Sequence, residues 1–137
     1  VEVLKENLLR INPDVEIEIF DVKLDRHNLL TIFGSVDVMV EAFDSADMKE
    51  LIIELFQSEK PTTPLVVGNG MAGWGESNDL ELQKFGNLYI CGDNETEIGP
   101  SMPPLAPRVL ICAAIQANTV MSILLENCFS NEYNPQP

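Results

Sequence analysis

Apolar and polar positions recur with two different periods along this chain, and each change of period marks an element. Residues 1–13, VEVLKENLLRINP, place Leu4, Leu8 and Ile11 on one face of a helix that Pro13 stops. Residues 15–20, VEIEIF, switch to alternation of apolar and acidic positions, the pattern of a half-exposed strand. Asp25–Phe33 reads as a short helix closed by Gly34, and Val36–Val40 as a more apolar, more central strand. Asp44 then opens a helix in which Met48, Leu51, Ile52, Leu55 and Phe56 form one continuous stripe. Pro61 and Pro64 bracket the turn into a third strand, Leu65–Val67. Strands and helices alternating across short joints predict an α/β fold with parallel pairing. Residues 81–84 and 88–91 flank Phe85-Gly86-Asn87 as an antiparallel hairpin, residues 92–105 form a loop, and Pro107 suits the first turn of a long last helix.

No Ser, Thr, Asp or Asn precedes the first helix as a cap, so the chain is expected to start inside a helix, as a fragment truncated at its N-terminus. Residues 1–127 are expected to form the domain and 128–137 a frayed polar tail. In the last helix, Val109 to Leu125 carry no charge but include Gln116, Asn118, Thr119 and Ser122. That stretch falls short of the roughly 20 apolar residues of a membrane span and reads as a buried helix.

A chain of 137 residues suits one domain, and 45% hydrophobic against 22% charged residues argues for a folded globule over an acidic tail. Eight basic and 22 acidic residues give a formal net charge of −14. This charge argues against nucleic acid and anionic membranes as partners and leaves a partner with a basic face open. Cys91, Cys112 and Cys128 form no CxxC pair, so neither a zinc site nor a disulfide framework is indicated, and free thiols in the cytoplasm are the simplest reading.

Gly68-Asn69-Gly70-Met71-Ala72-Gly73 is a literal GxGxxG after a strand. A dinucleotide fingerprint needs a helix starting at its second glycine, and Trp74-Gly75-Glu76-Ser77-Asn78 is a poor helix start, so a flexible glycine loop is the better reading. A nicotinamide or flavin oxidoreductase built on Gly68–Gly73 stays an alternative that requires a helix near Gly70. Asp44, where a strand meets a helix, can serve as N-cap or hold a metal-bound nucleotide. Arg108 in the first turn of the last helix opposes the macrodipole; it either bridges to an acid among residues 93–97 or contacts an anionic ligand or partner. His27 reads as a surface residue, Cys112 as packing, and Cys91 as the most accessible thiol, with no basic neighbour to activate it.

In order along the chain, five segments carry a family likeness. Lys5-Glu6-Asn7 through Arg10-Ile11-Asn12-Pro13, then VEIEIFDVKLDRHNL, VDVMVEAFDSAD, the Gly68–Gly75 loop, and Leu105-Ala106-Pro107-Arg108-Val109 with Ile115-Gln116-Ala117 resemble the ThiF/MoeB adenylyltransferases, relatives of the ubiquitin-activating enzymes. The resemblance implies a Rossmann-like three-layer fold. It also implies ATP- and Mg²⁺-dependent adenylation of the C-terminal Gly-Gly carboxylate of a ubiquitin-fold sulfur carrier, a ThiS-like protein of thiamine biosynthesis, by a homodimer. Asp44 matches the family's nucleotide- and magnesium-contacting aspartate, Ser45 stands where the family usually has Asn, and Leu24 falls in the segment lining the adenine pocket. The family's glycine-rich nucleotide loop, ribose-binding Asp, arginine and lysine lie upstream of what this chain contains. A non-catalytic module that docks a carrier or another partner is the other alternative.

Overall fold

The structure, a computed structural model, describes residues 1–132, with side chains described through residue 126. Its elements are α1 (Glu2–Ile11), α2 (Leu29–Phe33), β1 (Met39–Val40), α3 (Ala46–Glu59), β2 (Leu65–Gly68), β3 (Glu81–Phe85), β4 (Leu88–Gly92) and α4 (Ala106–Glu132), with a short 3₁₀ turn at Ser77–Asp79. The four strands form one sheet in the order β1-β2-β4-β3. β1 pairs parallel to β2, with Met39 opposite Leu65, and β2 parallel to β4, with Leu65 opposite Leu88 and Gly68 opposite Cys91. The β3–β4 hairpin is antiparallel, with Phe85 opposite Leu88.

β2 is the organising strand: all four of its residues are buried, as a parallel strand covered on both faces requires. Its pleat sends Leu65 and Val67 to one face and Val66 to the other. On the first face Leu65 and Val67 pack with Leu29 of α2 and with Ile52, Leu55 and Phe56 of α3. On the second, Val66 and Cys91 meet Cys112 and Ile123 of α4. Helices on both faces of a mainly parallel sheet give the three-layer α/β architecture expected from the sequence.

Several expectations need correction. Residues 15–20 form no strand; no neighbouring strand lies beside them among the described residues, so their alternation survives only in the half-burial of Ile17 and Ile19. The strand expected over Val36–Val40 is paired only at Met39 and Val40, although the N–H of Glu41 continues the ladder to the carbonyl of Val66 at 2.9 Å. The helix expected from Asp25 starts at Leu29, because the Asp25 carboxylate accepts the N–H groups of His27 and Asn28 in a turn. His27 is exposed. α1 forms as expected, but none of its residues is buried, and Leu4, Leu8 and Ile11 face outward.

The last helix is not a buried helix. It presents one stripe to the sheet, through Arg108, Cys112, Thr119 and Ile123, while Leu110, Met121, Leu124 and Leu125 are exposed. A single sheet face can cover only one side of a helix. Because α4 begins at Ala106, Ala106–Glu126 reaches 21 residues, long and apolar enough to cross a membrane by length and composition. This corrects the shorter estimate. α4 continues past residue 127 to Glu132, and residues 133–137 of the expected tail lie outside the described residues.

Candidate functional site

The carboxyl ends of β1 and β2 are tied to α3 and α4 around one buried residue, Glu41. Glu41 is 1% exposed. Its Oε1 and Oε2 accept hydrogen bonds from Lys49 Nζ at 2.8 and 2.9 Å, and Oε1 also accepts the N–H of Phe43. The ammonium of Lys49 donates further to the carbonyl of Gly68 at 3.0 Å, and Gln116 Nε2 donates to the carbonyl of Glu41 at 3.3 Å. A buried carboxylate needs this degree of pairing, because unpaired it would cost several kcal/mol. The pairing fixes the turn between β1 and α3, and that turn carries Asp44.

Asp44 is exposed and lines a cavity of about 530 Å³ beyond the ends of β1 and β2, together with Phe43, Lys49, Asn69, Gly70 and Glu97. A second cavity of about 430 Å³ shares Lys49, Gly68 and Asn69 with it and runs between α3 and the sheet over Ile53, Val67 and Ile90. Ligands of open α/β sheets bind at this edge of the strands.

Of the two readings of Asp44, the structure removes the helix cap. α3 starts at Ala46, its N-cap is Ser45, and no side chain makes a capping hydrogen bond there. The carboxylate of Asp44 therefore has no internal task. It fits a magnesium–nucleotide ligand, since Mg²⁺ is commonly held by one or two carboxylates plus substrate phosphates. Among the described residues no three His, Cys, Asp or Glu side chains come together as a metal site. Ser45 is half-buried and lines none of these cavities, and Leu24, also half-buried, lies away from them.

The glycine loop is not built as a dinucleotide fingerprint. No helix starts at Gly70, which removes the condition on which the oxidoreductase alternative rested. Instead the loop interlocks with residues 91–96. Asn69 N–H donates to the Cys91 carbonyl and Asp93 N–H to the Gly70 carbonyl, both at 2.9 Å, and the Asn69 side chain bonds Asn94 at 2.9 Å. Gly70, at φ +74°, leaves room for the Asp93 carboxylate, and a Cβ on Gly92 would run into the carbonyl of Asn69.

Asp93 is the second hub. Its Oδ1 accepts the N–H groups of Glu95 and Thr96 at 2.9 Å, the Thr96 hydroxyl donates to it, and Oδ2 pairs with the Arg108 guanidinium. Arg108 also donates to the carbonyls of Gly75 at 2.8 Å and Glu76 at 3.2 Å. Of the two roles open to Arg108, the bridge to an acid among residues 93–97 is the one formed. Burial disfavours the charged form of Asp93, but the two N–H groups, the hydroxyl and the guanidinium outweigh it and hold the carboxyl below its ordinary range. A lowered carboxylate stabilises the fold above its unfolded value, about 3.9, and that contribution is lost as pH falls through the folded value. The urea midpoint is therefore expected to fall below about pH 4 in the native protein, and to fall less in Asp93→Asn. Equal acid limbs in both proteins would remove Asp93 as a source of acid lability.

Cys91 corrects the expectation of an accessible thiol. It is fully buried on β4; burial, and then the neighbouring Cys112, push its thiol up to about 11. Cys112 is also fully buried, and its thiol donates to the Cys91 carbonyl at 3.0 Å. Both are inert packing. Sequence reasoning missed Glu41 and Lys49, and left the acid partner of Arg108 open within residues 93–97. The available signal was Glu41 itself, an acid directly following an apolar strand with a lysine in the first two turns of the next helix.

A three-layer α/β sandwich around a mainly parallel sheet defines a Rossmann-like class of fold. Within that class the chain belongs to the ThiF family, whose model matches residues 1–136. No curated protein sequence matches it significantly. Among solved structures it is similar to the Escherichia coli tRNA N6-threonylcarbamoyladenosine dehydratase, TcdA, determined in complex with ATP. The TM-score is 0.75 at 14% identity, covering 93% of this chain and 64% of that one. The chain thus spans less than two thirds of the length of that relative.

Proposed function

We propose that this chain is the carboxyl-terminal half of an adenylyltransferase that activates the C-terminal Gly-Gly carboxylate of a ubiquitin-fold sulfur carrier, ThiS-like, with ATP and Mg²⁺. The observation that carries the reading is the uncommitted carboxylate of Asp44 at the mouth of the 530 Å³ cavity in a ThiF-family fold. In the reaction a carrier carboxylate oxygen bonds to the α-phosphorus of ATP, the bond from that phosphorus to the bridging oxygen breaks, and pyrophosphate leaves. Asp44 would hold a Mg²⁺, which would neutralise phosphate charge, and the rest of the nucleotide site would come from residues outside this chain. Glu41 and Lys49 keep the Asp44 turn in place.

The reading keeps a cytoplasmic homodimer, with the exposed apolar faces of α1 and α4 as the surface available for pairing. It keeps neither membrane nor nucleic acid as a partner. TcdA acts on a modified tRNA base, but a net charge of −14 argues against a tRNA substrate for this chain. ATP–pyrophosphate exchange by the longest natural form of the protein tests the proposal. Exchange is expected only when a Gly-Gly-ending carrier is present. Carrier binding without exchange would instead establish the docking module.

A further inference from the structure

The two cavities at the carboxyl edge of the sheet meet at Asn69, which lines both. Three hydrogen bonds fix this residue. Its N–H donates to the Cys91 carbonyl at 2.9 Å, its own carbonyl accepts the N–H of Asn94 at 3.3 Å, and its Nδ2 donates to Asn94 Oδ1 at 2.9 Å. Asn94 sits at φ +58°, a left-handed conformation that asparagine tolerates better than most residues. Its neighbour Asp93 holds the chain there, since Asp93 Oδ1 accepts the next two N–H groups, those of Glu95 and Thr96. The amide of Asn69 is therefore aimed before anything binds.

An asparagine amide offers two N–H donors and an acceptor oxygen. One donor is used on Asn94; the residue is exposed, and its second donor and Oδ1 have no partner among the described residues. No other side chain lining the 530 Å³ cavity combines these properties. Phe43, Met71, Ile98 and Val109 are apolar, and the Thr96 hydroxyl is already used by Asp93 and by the N–H of Ala72. The charged groups there are Asp44, Glu97 and Lys49, and Lys49 is paired with Glu41. A phosphate without its metal finds no uncommitted cation on this wall. A donor and an acceptor on one amide instead match the C=O and N–H of a peptide main chain.

We propose that Asn69, positioned by Asn94, binds the main chain of the carrier's Gly-Gly tail, in the same cavity that Asp44 lines. The inference rests on the adenylation reading and adds to it a residue that recognises the tail. Glycine has no side chain, so its peptide groups can approach the amide closely. An amide oriented beforehand loses little side-chain entropy on binding, which is the gain from its bond to Asn94. The contact is the same before and during reaction, so it lowers the carrier KM and leaves kcat unchanged.

The test uses the longest natural form of the protein, a ThiS-like carrier ending in Gly-Gly, and the same carrier without those two residues. Calorimetric titration without ATP reads the tail contact, and ATP–pyrophosphate exchange by the native protein separately reads adenylation. The native protein is expected to bind the complete carrier more tightly than the shortened one. Asn69→Ala is expected to weaken binding of the complete carrier about tenfold and to leave the shortened one unaffected. In exchange it should raise the carrier KM to the same extent, with kcat and the KM for ATP unchanged. Asn94→Gly keeps the left-handed backbone while removing the orienting side chain, and should act in the same direction more weakly. Undiminished binding of the complete carrier by Asn69→Ala, equal weakening of both carriers, or a raised KM for ATP would each overturn the proposal. Binding of the complete carrier without exchange would overturn the adenylation reading, with the titrations still deciding the role of Asn69.

Discussion

Asp44→Ala is expected to lower carrier-dependent ATP–pyrophosphate exchange by about 100-fold or more, while leaving the unfolding midpoint almost unmoved. The two halves of this result come from the same observation. The Asp44 carboxylate makes no capping hydrogen bond to α3 and lies exposed on the wall of the large cavity. Surface substitutions without such partners change stability by about 0.5 kcal/mol at most, whereas loss of a helix cap costs typically about 1 kcal/mol. A urea titration of the variant beside the exchange assay therefore separates the ligand role from a cap. Unchanged exchange would remove Asp44 from the site; a stability loss near the cap value would show that the helix depends on it after all.

How far the sequence reveals this molecule depends on what each element leans on. β2, α3 and the hairpin were legible because their signals are local: an apolar run between prolines, a helical stripe, and a turn at Phe85-Gly86-Asn87. The structure places Gly86 of that turn at φ +62°. Residues 15–20 were misread because alternation records only that one face is half-buried, and a strand also needs a neighbour to pair with. The burial of α4 was misjudged for a related reason, since hydropathy does not say how many sides of a helix find a partner. Cys91 was read as the most accessible thiol because it stands at the end of its strand, directly before the loop that starts at Gly92, whereas the register of β4 against β2 puts its thiol in the core. Asp44 was found through its place at a strand–helix joint. The Glu41–Lys49 pair was not, because it joins residues from different elements that only the folded topology brings together; the bridge of Arg108 to an acid among residues 93–97 was one of two open readings, and the structure selects Asp93 as its partner.

That topology makes Lys49 the most consequential side chain for stability near the site. Lys49→Met removes the only cation on the Glu41 carboxylate among the described residues, leaving the N–H of Phe43 as its one remaining donor. Breaking a buried pair in this way costs about 3–5 kcal/mol, a large part of the 5–15 kcal/mol by which domains are stable. Lys49 is itself partly open, at 24% side-chain exposure, so the loss is expected toward the lower end of that range. Denaturant unfolding followed by far-ultraviolet circular dichroism is expected to give a much lower midpoint for Lys49→Met. The double variant Lys49→Met/Glu41→Gln should recover part of the loss, because a neutral amide can still accept the Phe43 N–H without a buried charge. Exchange activity should follow the same order, since the turn that presents Asp44 is anchored by this pair. If Lys49→Met were as stable as the native protein, solvent would be compensating Glu41, and the anchoring of the Asp44 turn would have to rest on its backbone bonds alone.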